Sequence, residues 1–261
     1  MANFLRHEPC EKCGSKNNLA VYDDDSRYCF TPGCGYRGGD VVVEKETYDM
    51  GLIDTDFIPL TKRGIKIETC KKWGYGTGTY NNQPVQVANY HDVKGVLRAQ
   101  KLRNAKKQFR WIGDSKATNL YGEHLWETNG KRVVITEGEL DALSVSQAFE
   151  NKWPVVSLPN GAQSAAKAIT KSIEWLESFA EVVLCFDQDE AGRDAANTCA
   201  PLITPGKCKI VHGLPEKDAN ECIIKGKLKE LVAAIWEAKT FRPDGVVAGK
   251  ELWDHINKAE T

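Results

Sequence analysis

The chain has 261 residues, of which 41% are hydrophobic and 27% are charged. This length allows one large core or two to three small domains, and the composition is that of an ordinary globular protein. The formal net charge is -1, so the whole chain does not indicate a polyanionic partner and any basic surface must be local. No apolar run reaches the roughly 18 residues of a membrane span, and the N-terminus lacks the apolar core of a signal peptide. We therefore expect a cytoplasmic protein without membrane contact.

The cysteines near the N-terminus predict a metal site. They form two pairs, Cys10 with Cys13 and Cys29 with Cys34, in turn-rich sequence on either side of two short runs typical of hairpin strands. In a reducing compartment such cysteines favour metal binding over disulfides. Two turns that each offer two thiolates to one tetrahedral ion predict a zinc ribbon over residues 1–40. The alternative is four separate buried thiols, and His7 is an alternative ligand.

A linker and a basic segment follow. Residues 41–56 have mixed charge and little apolar periodicity, which predicts a flexible linker. Residues 57–131 are predicted to form an antiparallel α+β subdomain, with a helix over 66–73 and strands over 84–90, 96–103 and 108–112.

This subdomain carries a concentration of positive charge. Residues 94–116 contain eight lysines and arginines but a single acid, Asp114, and two aromatic residues lie among them. Such a pattern fits phosphate contacts and base stacking on a single strand, and the alternative is a solvated sheet face. The candidate nucleic-acid or nucleotide contacts in this stretch are Arg98, Lys106, Arg110 and Trp111.

Residues 132–240 show the pattern of a parallel α/β sheet. Strands are predicted over 132–136, 154–158, 181–186 and 207–212, with helices over 139–149, 164–179 and 191–201 between them. Two of the strands end in acids: Glu137 after the first, and Asp187 and Asp189 after the third. Because ligands of such sheets bind at the carboxyl ends of the strands, we expect these acids to converge on Mg²⁺. The alternative is that they only end strands and cap helices.

The same residues carry a resemblance to a known domain. Thr136-Glu137-Gly138-Glu139-Leu140-Asp141, followed by Phe186-Asp187-Gln188-Asp189 and Ala191-Gly192-Arg193, resembles the Toprim domain of primases, topoisomerases, recombination mediators and some nucleases. The order of ribbon, linker, basic sheet and Toprim-like sheet is similar to that of primases. Further motifs resemble the primase half of the bifunctional primase-helicases of T-odd-type short-tailed phages: Arg63-Gly64-Ile65, Gln100-Lys101, His124-Leu125-Trp126, Lys217-Asp218-Ala219-Asn220-Glu221 and Pro243-Asp244-Gly245. One departure is Cys29-x4-Cys34, where the phage relatives usually have two residues between the cysteines.

The resemblance implies template-directed synthesis of short RNA primers on single-stranded DNA during DNA replication. It implies one or two Mg²⁺ ions bound by Glu137, Asp187 and Asp189, and Glu137 is alternatively a general base. It also implies one Zn²⁺ ion bound by the ribbon, and the ribbon would help to select the template. Lys101, Arg103 and Lys107 would hold ribonucleoside triphosphates, while Asp141 and Asp218 would be supporting catalytic acids. Expected partners are a replicative helicase domain, to which residues 241–261 would lead, and the replicative DNA polymerase, in the cytoplasm of an infected bacterium.

Two other classes share parts of this pattern. A non-catalytic recombination mediator also combines four cysteines with a Toprim fold, but residues 57–131 would then have no role, and no helical DNA-binding element fits ahead of Cys10. A Toprim topoisomerase needs a tyrosine on a further domain, whereas a Toprim nuclease is compatible with the chain. A nuclease would degrade DNA in Mg²⁺ without ribonucleotides.

Overall fold

The computed structural model describes residues 3–24, 26–38, 51–243 and 253. The chain divides into two compact units, Met1–Asp49 and Met50–Thr261. None of the helices in the described residues is long and apolar enough to cross a membrane.

The first unit is a four-stranded antiparallel sheet in the order β1-β2-β3-β4. Its strands are β1 (Phe4–Glu8), β2 (Leu19–Tyr22), β3 (Arg27–Cys29) and β4 (Arg37–Gly38). The predicted hairpin corresponds to β2 and β3. The outer strands were not predicted, because β1 exposes most of its side chains and β4 has only two residues.

The second unit begins with a helix and an antiparallel sheet in the order β5-β6-β7-β8. These elements are α1 (Ile67–Trp73), β5 (Tyr75–Tyr80), β6 (Gln83–His91), β7 (Leu97–Arg103) and β8 (Phe109–Gly113). Strand β5 was not predicted because glycines disfavour strands. They are needed here, since a Cβ atom on Gly76 would lie 2.4 Å from the backbone oxygen of Asp56.

The predicted linker boundary at residue 56 is wrong. The side chain of Gln100 donates to the backbone oxygen of Ile53 and accepts from its N–H, both at 2.8 Å, and Asp56 forms a β-bridge with Thr77. Residues 51–56 are therefore part of the sheet subdomain, because their backbone pairs with Thr77 of β5 and with the side chain of Gln100 on β7. The rest of the predicted linker, residues 41–50, lies outside the described residues, as do residues 244–252 and 254–261 of the predicted C-terminal segment.

The second half of this unit is the predicted parallel sheet, in the order β10-β9-β11-β12-β13. Strands β9 to β12 are parallel, and the short β13 pairs with β12 in the antiparallel sense. The strands are β9 (Arg132–Thr136), β10 (Val155–Ser157), β11 (Glu181–Cys185), β12 (Cys208–Ile210) and β13 (Lys239–Thr240). The helices are α2 (Glu139–Ala148), α3 (Ala165–Lys171), α4 (Ile173–Glu177), α5 (Glu190–Cys199), α6 (Ala219–Ile224) and α7 (Leu228–Trp236).

Apolar cores cover both faces of this sheet, as its continuous Val, Ile and Leu runs predict. One core contains Val134, Leu143 and Val183 and continues to Trp73 and Tyr90 of the antiparallel subdomain. The antiparallel and parallel parts therefore share a core. The opposite face packs on α3 and α5.

One predicted helix is divided. The helix expected over 164–179 is interrupted at Ser172, which separates α3 from α4. The hydroxyl of Ser172 donates to Glu123 Oε2 at 2.6 Å, and both residues are buried. A local sequence pattern does not reveal this contact, since Glu123 lies 49 residues earlier in the chain.

Candidate active site

The structure brings four acids together near the carboxyl ends of the parallel strands. Glu137 follows β9, Asp187 follows β11, Asp141 lies in the first turn of α2 and Asp218 precedes α6. Burial, with the charges of Glu137 and Asp218, raises the pKa of Asp187 to about 7. Burial, with the charges of Asp218 and Asp187, also raises the pKa of Asp141 well above its usual range. The neighbouring acids thus penalise ionisation of Asp187 and Asp141.

The chemistry of these acids fits a magnesium ion. Burial raises the pKa of Glu137, and its Oε2 atom is buried with no hydrogen-bond partner among the described residues. A cation would compensate such an atom. The four acids are not clustered tightly: in the described part of the chain, only the four ribbon cysteines form a group of three or more potential ligand atoms within 4.8 Å. Mg²⁺ does not require all four acids as direct ligands, because it keeps several waters and binds substrate phosphates.

Asp189 has a different environment from Asp187. It is the N-cap of α5, where its carboxylate accepts from the Gly192 N–H at 3.0 Å, and it pairs with Lys217 Nζ at 3.1 Å. These contacts lower its pKa. Asp218 likewise caps α6 by accepting from the Glu221 N–H at 2.7 Å. Asp189 and Asp218 therefore act as helix caps, which was the alternative to metal binding, although both also lie beside the other acids.

Lys101 faces the acids from strand β7. Its Nζ atom lies 2.7 Å from Glu139 Oε1 and donates to the backbone oxygen of Pro159 at 2.8 Å. The hydroxyl of Tyr90 donates to the same Glu139 oxygen at 2.6 Å. The lysine and glutamate side chains are each only 10% exposed, so Glu139 fixes the ammonium group at the edge of the acid cluster.

Two adjacent cavities open between the antiparallel subdomain and the parallel sheet. One of about 180 Å³ is lined by the cations Arg63, Lys101 and Arg103 together with acids that include Asp141 and Asp218. The other, of about 450 Å³, shares Lys101 with the first and extends to Glu137 and Asp187. Together they form a cleft that offers positive charge on one wall and carboxylate oxygens on the other.

The ribbon cysteines form a second candidate site. Cys10 Sγ lies 3.8 Å from Cys34 Sγ, and Cys13 Sγ lies 3.7 Å from Cys29 Sγ. All four sulfurs lie within 4.8 Å of one another, which fits a tetrahedral zinc ion. His7 does not belong to this group. It lies on β1 with its ring 4.8 Å from that of Phe4, so the alternative of a histidine ligand is not supported.

One face of the ribbon sheet is aromatic and basic. His7, Ala20, Tyr28 and Arg37 are directly paired across the four strands and so form one row on one face. The Arg37 guanidinium lies 5.4 Å from the centre of the Tyr28 ring, and the Phe30 ring lies 4.7 Å from Tyr28. Phe30 is 57% exposed. This face has the chemistry of a base-stacking surface.

Comparison with known proteins places the chain in a family. Two family models match, the bacteriophage T7 DNA helicase/primase N-terminal α+β fold over residues 56–113 and the Toprim-like domain over residues 134–223. The crystal structure of the primase fragment of the bacteriophage T7 primase-helicase is 36% identical, with a TM-score of 0.67, and the match covers 90% of this chain and 100% of that chain. The chain belongs to the phage T7 primase family.

Other relatives agree with this membership. The DNA helicase/primase of Enterobacteria phage T3 is 38% identical in an alignment of 275 positions. The alignment covers 99% of this chain and 48% of that protein. The chain therefore spans about half the length of this relative. In a structure of T7 lagging-strand DNA polymerase interacting with primase domains of two subunits, bound to an RNA/DNA hybrid and dTTP, the matched chain is 39% identical, with a TM-score of 0.69. That match covers 75% of this chain and 98% of that one.

The basic residues of this T7-family subdomain lie on different surfaces. Lys101 and Arg103 share the sheet face that lines the cleft. Arg98 lies where the register between β6 and β7 shifts, and it pairs with Asp92 at 2.7 Å. Arg110 is opposite Leu102, on the other face of the sheet, and its guanidinium lies 5.3 Å from the centre of the Tyr80 ring. The predicted basic stripe is thus divided by the two-residue period of the strands.

Two further candidates lie outside the cleft, and a third forms part of its wall. Lys106 and Lys107 are exposed in the turn between β7 and β8 and do not line either cavity. Trp111 does line the larger cavity, but its Nε1 donates to Asn160 Oδ1 at 3.1 Å and its ring packs 4.6 Å from Tyr90. These contacts make Trp111 part of the wall.

Sequence reasoning missed two residues of the cleft. Glu139 was quoted within the Toprim-like motif and Arg63 within another matching motif, but neither was given a role. The structure places Arg63 in the smaller cavity, where its guanidinium donates to Asn220 Oδ1 at 3.2 Å. Asn220 in turn donates its backbone N–H to Asp141 at 3.0 Å. The matching motifs were the available signal for both residues.

Proposed function

We propose that this chain is a DNA primase that makes short RNA primers on a single-stranded DNA template. The observation that carries the proposal is the cleft itself, in which Lys101, Arg103 and Arg63 face acids of raised pKa. Nucleotidyl transfer needs positioning and charge neutralisation more than covalent chemistry. This arrangement supplies both, and membership of the T7 primase family supports the same activity.

Glu137, Asp187 and Asp189 would hold one or two Mg²⁺ ions. When bound, Mg²⁺ lowers the pKa of an attacking hydroxyl and neutralises a pyrophosphate leaving group. Burial and the neighbouring acids raise the pKa of Asp187 to about 7, and a bound cation would offset this penalty on its ionised form. Glu137, whose pKa is also raised, is the alternative general base.

Lys101 and Arg103 would bind the triphosphate, with Arg63 as an additional contact. Glu139 acts through Lys101 as a positioning residue, because it fixes the ammonium group 2.7 Å away. Asp141 and Asp218 would support the site by accepting backbone N–H groups of α6, and the charge of Asp218 also raises the pKa of Asp187. Lys107, on the exposed turn, would be a further contact to the triphosphate, and Lys106, Arg98 and Arg110 would contact nucleic acid outside the cleft.

The domains divide this work. Residues 1–40 would recognise the template through the zinc ribbon, whose aromatic face fits stacked bases, and residues 41–50 would link the ribbon to the polymerase part. Residues 51–131 would supply the nucleotide-binding cations and residues 132–240 the metal-binding acids. Residues 241–261 would lead to a helicase domain. The partners would be single-stranded DNA, ribonucleoside triphosphates and the replicative DNA polymerase, in the cytoplasm of an infected bacterium.

A primer-synthesis assay tests the proposal. The protein is incubated with Mg²⁺, four ribonucleoside triphosphates, one of them labelled, and a single-stranded DNA that contains every trinucleotide. We expect labelled oligoribonucleotides from the unmutated protein and none from Lys101→Ala. Degradation of the DNA without any need for ribonucleotides would favour a nuclease, and DNA binding without either product would favour a recombination mediator.

A further inference from the structure

Phe109 is an exposed aromatic ring inside the cleft. It begins β8 opposite Arg103, so the two residues share the sheet face that carries Lys101. The ring lines both cavities. It is 56% exposed, and among the large hydrophobic side chains that are exposed in the described residues, it is the one that lines this cleft. An apolar ring in this position contributes little to the core and presents its surface to whatever enters the cleft.

The surroundings of Phe109 are cationic. Lys101 Nζ lies 4.7 Å from the ring centre and the Arg103 guanidinium lies 5.7 Å from it. These are the two cations that the proposed function assigns to the triphosphate. A nucleotide whose phosphates reach them would therefore bring its sugar and base within reach of this ring.

Trp111 provides a contrast on the same face. It is opposite Lys101 in the register, but its ring is packed against Tyr90 and its Nε1 is bonded to Asn160. Phe109 has no polar atom to satisfy and has more of its surface free. The aromatic surface available for a base is thus that of Phe109.

We propose that Phe109 is the stacking platform for the base of the nucleotide whose phosphates bind Lys101 and Arg103. Such a role rests on the proposed function, because it assumes that the cleft binds nucleotides. Stacking on a phenyl ring depends little on the identity of the base. Phe109 therefore contributes affinity for all four nucleotides, and selection among them is left to pairing with the template.

The test compares Phe109→Leu, which keeps an apolar side chain but removes the ring, with Phe109→Tyr, which keeps the ring. Trp153→Leu is the matched control, since Trp153 is also exposed, at 42%, and lies outside the cleft. Equilibrium binding of Mg²⁺ with a non-hydrolysable analogue of each of the four nucleotides is measured on the full chain. Binding of inorganic tripolyphosphate, which has no base, is measured in parallel.

We expect Phe109→Leu to weaken binding of all four analogues by about tenfold, a value within the range of base stacking on aromatic side chains. Phe109→Tyr is expected to stay within about threefold of the unmutated protein, and Trp153→Leu to bind as the unmutated protein does. Tripolyphosphate affinity should not change in Phe109→Leu. In primer extension the loss should be in KM rather than in kcat, since stacking stabilises the bound ground state and the transition state alike.

Three results would contradict the proposal that Phe109 is a stacking platform. They are unchanged nucleotide affinity in Phe109→Leu, a loss confined to one base, or an equal loss of tripolyphosphate affinity, which would mean that the ring only positions Lys101. If the unmutated protein binds nucleotides but makes no RNA, the primase function fails, while the binding comparison still decides the role of Phe109.

Discussion

Asp187→Asn is expected to stabilise the metal-free protein at alkaline pH. The pKa of Asp187 is raised to about 7 by burial and by neighbouring acids, whereas an aspartate in an unfolded chain has a pKa of about 3.9. Between these two values the folded state binds more protons than the unfolded state. The free energy of unfolding therefore falls as pH rises through this window, and the loss is complete above about pH 7.

The size of the effect follows from the difference between the two pKa values. About three pKa units correspond to about 4 kcal/mol, at 1.36 kcal/mol each. The side chain is 22% exposed, and Lys217 Nζ lies 4.0 Å away. The value of about 7 already includes the effect of Lys217, but water at the exposed part of the side chain screens the penalty. We therefore expect about 2 kcal/mol, or roughly a 5 °C rise in Tm at pH 8 for a unit of this size. At pH 5, about one unit above the unfolded-state pKa, about a third of this loss has already occurred, so the difference should be about 0.7 kcal/mol.

Scanning calorimetry in metal-depleted buffer at pH 5 and pH 8 measures this difference. Asp194→Asn is the matched control, because Asp194 is an exposed acid on α5. Added Mg²⁺ should raise the Tm of the unmutated protein at pH 8, but should do little for Asp187→Asn. A Tm difference that is equal at both pH values, or a less stable Asp187→Asn at pH 8, would refute the electrostatic reasoning.

Three further predictions concern other parts of the chain. Glu139→Gln leaves the buried Lys101 ammonium without its anionic partner, so urea unfolding should show a free energy of unfolding lower by about 2–3 kcal/mol. Tyr90→Phe removes only one hydrogen bond and should lower it by about 1 kcal/mol. Equal losses in the two variants would contradict the ion-pair account. Gly192→Ala would place a Cβ atom 2.2 Å from the backbone oxygen of Asp187, so the backbone at Asp187 would have to move. Primer synthesis should then fall by about 100-fold while circular dichroism shows a folded protein. Full activity would show that the site tolerates this movement. Removal of zinc should make the ribbon sensitive to protease, because cysteines make up most of its buried core. The melting temperature of the second unit should not change. A protease-resistant ribbon in verified zinc-free protein would count against a structural metal.

The acid cluster could be predicted from the sequence because it depends on short-range patterns. An apolar run identifies a buried parallel strand, and the residue after the run lies at its carboxyl end, so Glu137 and Asp187 were placed by the strands alone. The cysteine cluster was predictable in the same way, from spacing within two turns. Both predictions require only that the strands be assigned correctly.

The role of Glu139 required contacts that are distant in the chain. From the sequence it is the first residue of α2, a position where an acid is common and exposed. Its burial results from Lys101 and Tyr90, which lie 38 and 49 residues earlier. No local pattern reports that the two subdomains share a core at this point.

The division of the basic stripe was predictable in part. Alternation along a strand places Lys101 and Arg103 on one face, but it does not assign a face to Arg98, which lies where the register between β6 and β7 shifts. Which face meets the acids depends on how the antiparallel sheet packs on the parallel one. That packing follows from the shared core around Trp73 and Tyr90, which the periodicity of the strands does not specify.

The central claim is that the acid cluster and Lys101 carry out nucleotidyl transfer on a template. Its most direct test is the rate at which the full chain forms a dinucleotide from two ribonucleoside triphosphates on a recognised single-stranded DNA, measured against Mg²⁺ concentration for the unmutated protein, Asp187→Asn and Asp194→Asn. We predict Mg²⁺-dependent synthesis by the unmutated protein and Asp194→Asn, and a loss of at least 100-fold in Asp187→Asn at every Mg²⁺ concentration. Equal rates in all three proteins would contradict the assignment of this cleft as the active site.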